Sequence, residues 1–202
     1  MGGIFLGFLC AVALVAVLGR LRASQPPSGA LALACWALIA LTGLDGLNAF
    51  LFDGNLPHLY APNTAVRLLT GLGAGVGVGL MAIPVVASMV WKQPSEEASI
   101  EDPVELVGGL ALAGLVGGLI LAGVGVLLWP IGLAMLAAVL VAFGVANLYV
   151  IVLVTGRARQ ATSLGTLSGG LIGSLGLSLL ELGGLAALRS VLATNFGLSW
   201  GF

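Results

Sequence analysis

The sequence predicts an all-α fold, a polytopic membrane helix bundle of about six transmembrane helices with both termini on the non-cytoplasmic side. Three observations predict it. Charged residues make up 7% of the chain and hydrophobic residues 59%, and the mean hydropathy is +1.17. A soluble domain, of which about a quarter is normally charged, could not cover its surface with so few charges. Apolar stretches close to 20 residues recur, which is the length a helix rising about 1.5 Å per residue needs to cross a hydrocarbon core about 30 Å thick. Finally, lysine and arginine fall in alternate loops.

The chain reads as a single membrane domain, 1–202, with spans at about 2–19, 29–52, 63–91, 104–129, 131–154 and 162–192. A cleaved signal peptide would carry positive charge before its apolar segment, whereas Arg20 and Arg22 follow the first stretch here. That stretch is expected to remain as a helix with its N-terminus outside. Pro26 and Pro27 block helix continuation in "RASQPPSG", and the turn-rich "DGNLPHLYAP" separates the second span from the third. In "IEDPVE", Asp102 caps, Pro103 takes the first helical position and Glu105 reaches back to complete a capping box.

From Val104 to Val154 the sole charge is Glu105. As one helix this segment would be about 77 Å long, so it must fold back. "LLWPIG" is the expected corner, with Trp129 at the interface and Pro130 opening the next helix. The tail "NFGLSWGF" is expected to lie on the surface. With these boundaries Arg20, Arg22, Lys92, Arg157 and Arg159 share one side, and the positive-inside rule makes that side cytoplasmic. The plasma (inner) membrane is the expected location.

The glycine run "GLGAGVGVG" in the third span is not a phosphate loop. It lacks the Lys and hydroxyl of GxxxxGK[ST], and Val76 and Val78 occupy the third glycine positions of GxGxxG. A lone strand in lipid would leave its backbone unpaired. As a helix, Gly71, Gly75 and Gly79 line one face, and Gly73 and Gly77 line another turned by about 200° at 100° per residue. Small residues let helix backbones approach closely, so the third span is expected between two neighbours. Gly165, Gly169 and Gly173 repeat the spacing in the sixth span, and Gly114 and Gly118 do so in the fourth. Such faces either tighten the bundle itself or dock another protein.

Polar groups within spans are costly in lipid and are candidates for function or for bundle-holding pairs. The candidate cluster is Asp45, Asn48, Asn63, Arg67, Glu181 and Arg189, most of it toward the outer side, with an Asp45–Arg67 pair feasible. Glu181 has Ser174 and Ser178 on its helix face, and Asn147 is the lone amide of the fifth span. His58, the single histidine, either ligates a haem or chlorophyll metal or rests at the interface beside Pro57 and Tyr60. The acidic loop with Glu96, Glu97, Glu101, Asp102 and Glu105 serves solvation and a helix N-terminus, or docks a basic partner. Cys10 and Cys35 lack metal or redox spacing, and no catalytic motif is present, so neither metal nor cofactor is expected. A net charge of −1 gives no basic surface for nucleic acid.

The stretch "DGLNAFLFDGNLPHLYAPNTAVRLLTGLGAG" resembles a family of uncharacterised bacterial multi-pass membrane proteins that share Asp-Gly, then Asn shortly before Arg-x-x-Thr-Gly. Asp45, Gly46, Asn63, Arg67, Thr70 and Gly71 correspond. The loop is longer here, and the Cys-His segment that those proteins carry earlier is absent. The resemblance implies a multi-pass membrane fold and no activity. The expected function is a non-catalytic accessory or structural subunit of a larger membrane complex, respiratory or photosynthetic, whose partners are the lipid bilayer and other integral membrane subunits. The alternative is a small transporter or channel with an outward-facing polar pocket around Asp45 and Arg67.

Overall fold

Helix ends follow local chemistry. In the computed structural model, which describes residues 2–123, 125–156, 158–163 and 165–196, the helices are α1 (Gly2–Val17), α2 (Gly29–Asp53), α3 (Thr64–Val90), α4 (Pro103–Leu121), α5 (Leu128–Thr155) and α6 (Ser168–Phe196). Asn63 caps α3 by accepting from the Ala65 amide at 2.7 Å. Asp102 accepts from the Val104 amide at 2.8 Å while Glu105 accepts from the Glu101 and Asp102 amides, a full capping box ahead of Pro103. Gly19 at φ +73° and Gly156 at φ +63° end α1 and α5 in the left-handed conformation that glycine adopts without a Cβ penalty. Arg157 and most of the C-terminal tail (residues 197–202) lie outside the described residues.

Five of the helices are long and apolar enough to cross a membrane. The sixth, α1, has 16 residues and is about 24 Å long, short of the roughly 20 residues of a full span. The expected six spans are therefore six helices with five long candidates, because the Gly19 turn stops α1 early. The fourth helix also ends sooner than the sequence suggested. Ala122 and Gly123, the latter at φ +62°, close it, and a 3₁₀ turn at Gly125–Leu127 leads into α5. Pro130 sits inside the first turn of α5, where a missing N–H costs little because first-turn amides have no intrahelical acceptor.

The all-α expectation needs one addition. Two short parallel strands, β1 (Ala23–Gln25) and β2 (Ser95–Ala98), pair where the α1–α2 and α3–α4 loops meet, and Trp91 bridges to Ala161 beside them. The adjoining Ala23, Ser99 and Ile100 are fully buried. Backbone groups removed from water need partners, and these loops supply them to one another.

The bundle is organised around α3, in whose most apolar 18-residue stretch 61% of the residues are buried, against 11% in those of α2 and α6. It lies between α1 and α2 with backbones nearly touching. A methyl carbon on Gly75 would collide with the Ile4 carbonyl and lie 2.7 Å from the Phe8 nitrogen; on Gly79 it would lie 2.5 Å from Ala11 Cβ. On the other face, one on Gly77 would lie 2.7 Å from the Cys35 carbonyl, and one on Gly73 3.2 Å from a Leu38 methyl. The approach is reciprocal, since a carbon on Gly3 would lie 2.8 Å from the Leu68 carbonyl and one on Gly7 would strike that of Leu72. Leu6, Val15, Cys35, Leu72, Val76 and Leu80 fill the surrounding core.

The other glycine rows behave differently. A carbon on Gly165 or Gly173 would make ordinary contacts at 3.7 and 3.6 Å, and Gly169 faces open space. The reason is that α6 meets α5 through side chains, with Leu148 and Ile151 against Gly170 and Gly173. In α4 the close glycines are Gly109 and Gly117, against Leu14 and Leu72, while Gly114 and Gly118 face nothing among the described residues.

Pro84, within α3, has no N–H to give the Leu80 carbonyl one turn earlier. The fully buried Ser99 hydroxyl supplies the bond at 2.8 Å from the α3–α4 loop. Satisfying a freed carbonyl in this way is what makes proline tolerable in a membrane helix.

Gly75→Leu is expected to cost at least the ~1–3 kcal/mol of ordinary overpacking, because backbone rather than a flexible side chain stands in the way. Gly114→Leu should leave stability nearly unchanged. Thermal unfolding of both variants in mild detergent measures this, and equal melting temperatures would contradict the packing described.

Candidate functional site

Of the sequence-selected polar residues, Asp45, Asn48 and Arg67 gather in one cluster and Glu181 belongs to a second, while Asn63 and Arg189 join neither. The first closes the α2–α3 connection. Asp45 and Asn48 lie one turn apart on α2, 5% and 3% exposed, and both face the loop that returns to α3. Asn48 binds that loop's backbone three times, accepting from the Leu59 amide at 2.8 Å and the Tyr60 amide at 3.3 Å and donating to the Tyr60 carbonyl at 2.9 Å. The Tyr60 hydroxyl donates to one Asp45 oxygen, and Arg67 Nε stands 3.9 Å from the other. Thr42 adds a bond to the Thr70 carbonyl at 2.6 Å, tying α2 to α3 directly.

The strengths of these contacts differ. Arg67 is 53% exposed and at the limit of ion-pair distance, so its pairing with Asp45 contributes little. The buried Asn48 and Asp45 bonds matter more, since an unpartnered buried polar group costs about 1–3 kcal/mol. The hydrogen bond to Asp45 pushes the Tyr60 phenol above its ordinary value, helped by burial and the carboxylate's charge and opposed by Arg67. Asn63 turns to the α3 N-terminus instead of joining this group. It shares with Thr64 and Arg67 a cleft of about 370 Å³ that also borders Gly2, Gly3 and Met135.

The second cluster bridges α5 and α6. Asn147 donates to the Ser178 hydroxyl at 3.0 Å and to Glu181 Oε2 at 2.9 Å. Ser178 passes its own hydrogen to the Ser174 carbonyl at 2.8 Å. Asn147 and Glu181, which the sequence left unconnected, are thus direct partners, whereas Arg189, on the exposed face of α6, makes no ion pair with Glu181. A groove of about 560 Å³ runs beside the cluster between Phe143, Ala146, Leu180 and Leu185.

His58 packs edge-on against Phe52, with ring centroids 4.9 Å apart, and its Nδ1 lies 3.0 Å from the Leu56 carbonyl. Among the described residues no group of three or more His, Cys, Asp or Glu is placed to hold a metal ion.

Sequence reasoning missed Tyr60 as the partner of Asp45, and it missed the cap at the opposite end of the bundle. There Arg20 forms two bonds to Glu105 at 3.0 and 2.8 Å and one to Glu101 at 3.4 Å, so part of the acidic loop is neutralised within the chain. Arg22 stacks on Trp91, 4.4 Å from the ring centroid, and Arg159 donates to the Ser88 carbonyl. An acidic loop opposite an Arg-containing loop was the signal available for the first contact. Nothing local signals the others.

Residues 1–81 match the family model described as Predicted membrane protein (DUF2085). The matched part comprises α1, α2 and α3 as far as Met81, so it takes in the glycine contacts among these helices and the whole Asp45–Arg67 cluster. The Asp-Gly … Asn … Arg-x-x-Thr-Gly segment lies inside it. No curated protein and no solved structure matches the chain.

Two outcomes follow from the first cluster. Asn48→Ala should lower stability by ~1–3 kcal/mol and open residues 54–62 to protease, as limited proteolysis in detergent would show. Because the Tyr60 value is raised, the contribution of its neutral phenol is present below the ordinary value near pH 10 and is lost as pH rises through the raised one. In Asp45→Asn the phenolate absorbance step should move to lower pH than in the parent; an unmoved step would refute the contact.

Proposed function

We propose that the chain is a non-catalytic accessory or structural subunit of a larger membrane complex in the plasma (inner) membrane. In this reading both termini lie on the non-cytoplasmic side and the Arg20–Lys92–Arg159 end faces the cytoplasm. One observation carries the reading: bare-backbone lines on α4 and α6 meet nothing among the described residues. Gly108, Gly114 and Gly118 on α4, and Gly169, Gly176, Gly183 and Gly184 on α6, face open space. Gly169, Gly176 and Gly183 recur every seven residues, a line that drifts by only about 20° per repeat. In lipid, where apolar side chains alone do not drive association, such lines let a partner helix approach closely. The α3 glycines are already occupied by α1 and α2, so the docking faces of this reading are α4 and α6.

The alternative, a small transporter or channel, draws support from the 370 Å³ cleft beside Asn63, Thr64 and Arg67. Against it, Asp45 and Asn48 are engaged in fastening a loop.

The test is purification from native membranes in mild detergent with mass spectrometry of what travels with the chain. Integral membrane subunits should be recovered in stoichiometric amounts, respiratory or photosynthetic according to the assembly. Gly114→Leu with Gly118→Leu should reduce that recovery severalfold while the melting temperature stays within a degree or two. A solitary protein that moves solute into liposomes would favour the alternative.

A further inference from the structure

The basic end of the bundle carries side chains with different fates. Arg20 is neutralised by Glu101 and Glu105, and Arg159 is turned toward the Ser88 carbonyl. Arg22 and Lys92 pair with no carboxylate among the described residues. They nevertheless converge, since Arg22, Lys92, Gln93, Ala161 and Thr162 line one pocket of about 150 Å³.

The pocket is assembled by contacts between three loops. Lys92 donates its amide to the Ala161 carbonyl at 2.9 Å, and Ala161 donates to the Val90 carbonyl at 3.2 Å. Trp91 Nε1 donates to the Leu21 carbonyl at 3.3 Å, fixing the indole face on which the Arg22 guanidinium rests. Arg22 Nη2 donates to the Thr162 carbonyl at 3.2 Å. The guanidinium plane is therefore set by stacking and one hydrogen bond, with further N–H donors left over from its five. Glu96 and Glu97 are exposed on β2 and do not line the pocket.

We propose that this pocket binds a phosphate-bearing anion. Two cations without carboxylate partners, an amide and a hydroxyl line a space the size of a phosphate group with a few waters, each of which takes about 30 Å³ in the liquid. A preoriented guanidinium is the group best matched to phosphate oxygens, with lysine as a second point charge. The pocket sits where α3, a helix long and apolar enough to cross a membrane, ends and the chain approaches α6. On the proposed orientation this end is cytoplasmic, where basic pockets between membrane helices bind lipid headgroups. A lipid phosphate and a free phosphate share this chemistry, and the experiment separates them.

The full-length chain in neutral detergent is titrated with phosphatidylglycerol in mixed micelles, and separately with sodium phosphate against sodium chloride at equal ionic strength, while its melting temperature is followed. A saturable rise with phosphatidylglycerol alone assigns a lipid headgroup; a matching rise with phosphate assigns a free anion, and either supports the site. Lys92→Gln should raise the half-saturating concentration roughly fivefold, the effect of one basic residue near a lipid surface. Arg67→Gln, at the opposite end, should not change it. The Lys92 side chain makes no hydrogen bond or ion pair within the described residues, so this variant decides the matter even if Arg22→Gln unfolds the cap. No saturable rise with either probe, or a rise that Lys92→Gln leaves unaltered, would overturn the proposal.

Discussion

The contact of α3 backbone with α1 and α2 backbone is the constraint from which the rest of the structure follows. At Gly75 against Ile4 and at Gly77 against Cys35 there is no room for a side chain on the central helix. Close approach of this kind replaces the hydrophobic drive that lipid does not provide between apolar helices. It also fixes the height and rotation of α3 relative to α1 and α2, which sets what its two ends meet. At one end Arg67 reaches the Asp45 carboxylate; at the other Trp91 meets the first loop. Glycine in a helix interior costs up to about 1 kcal/mol in water, and on α3 the close contacts with α1 and α2 offset that cost.

The two ends of this scaffold are finished by different chemistry. At the α2–α3 end, two buried side chains of one helix hold a returning loop through its backbone, and the exposed arginine plays a minor part. At the basic end, three loops exchange backbone hydrogen bonds, form a short parallel pair of strands and bring Arg22, Trp91 and Thr162 together. The Ser99 bond to the carbonyl freed by Pro84 belongs to the same cap, so the course of that loop and the tolerance of a proline in α3 are linked. The α5–α6 pair differs again. Glycine there meets leucine and isoleucine side chains, and the polar tie is Asn147 to Ser178 and Glu181. The family-model match covers residues 1–81, which hold the glycine contacts among α1, α2 and α3.

Much of the architecture was legible because it is encoded locally. Apolar lengths give helices, Asp102-Pro103 with Glu105 gives a start, and the spacing of Gly71 to Gly79 gives two smooth faces. Boundaries were less legible where two signals competed. Trp129-Pro130 looked like a corner, yet Gly123 in a left-handed conformation ended the helix first and Pro130 fitted within a first turn. For the candidate site, the residues of the first cluster could be picked out by their rarity in apolar segments, but not their roles. Asn63 became a cap, Asp45 found a tyrosine from its own loop, and Arg189 was separated from Glu181.

The sequence by itself determined the solvent, the helical class and the faces at which helices can touch. Those follow from the length of apolar runs and from which positions lack a Cβ. Only the tertiary structure decided which glycine rows are filled and which stay open, and which polar groups meet. Partners such as Arg22 and Thr162, or Asn147 and Glu181, come from segments far apart in the chain. Their meeting depends on how three backbones settle against one another, which no local spacing records.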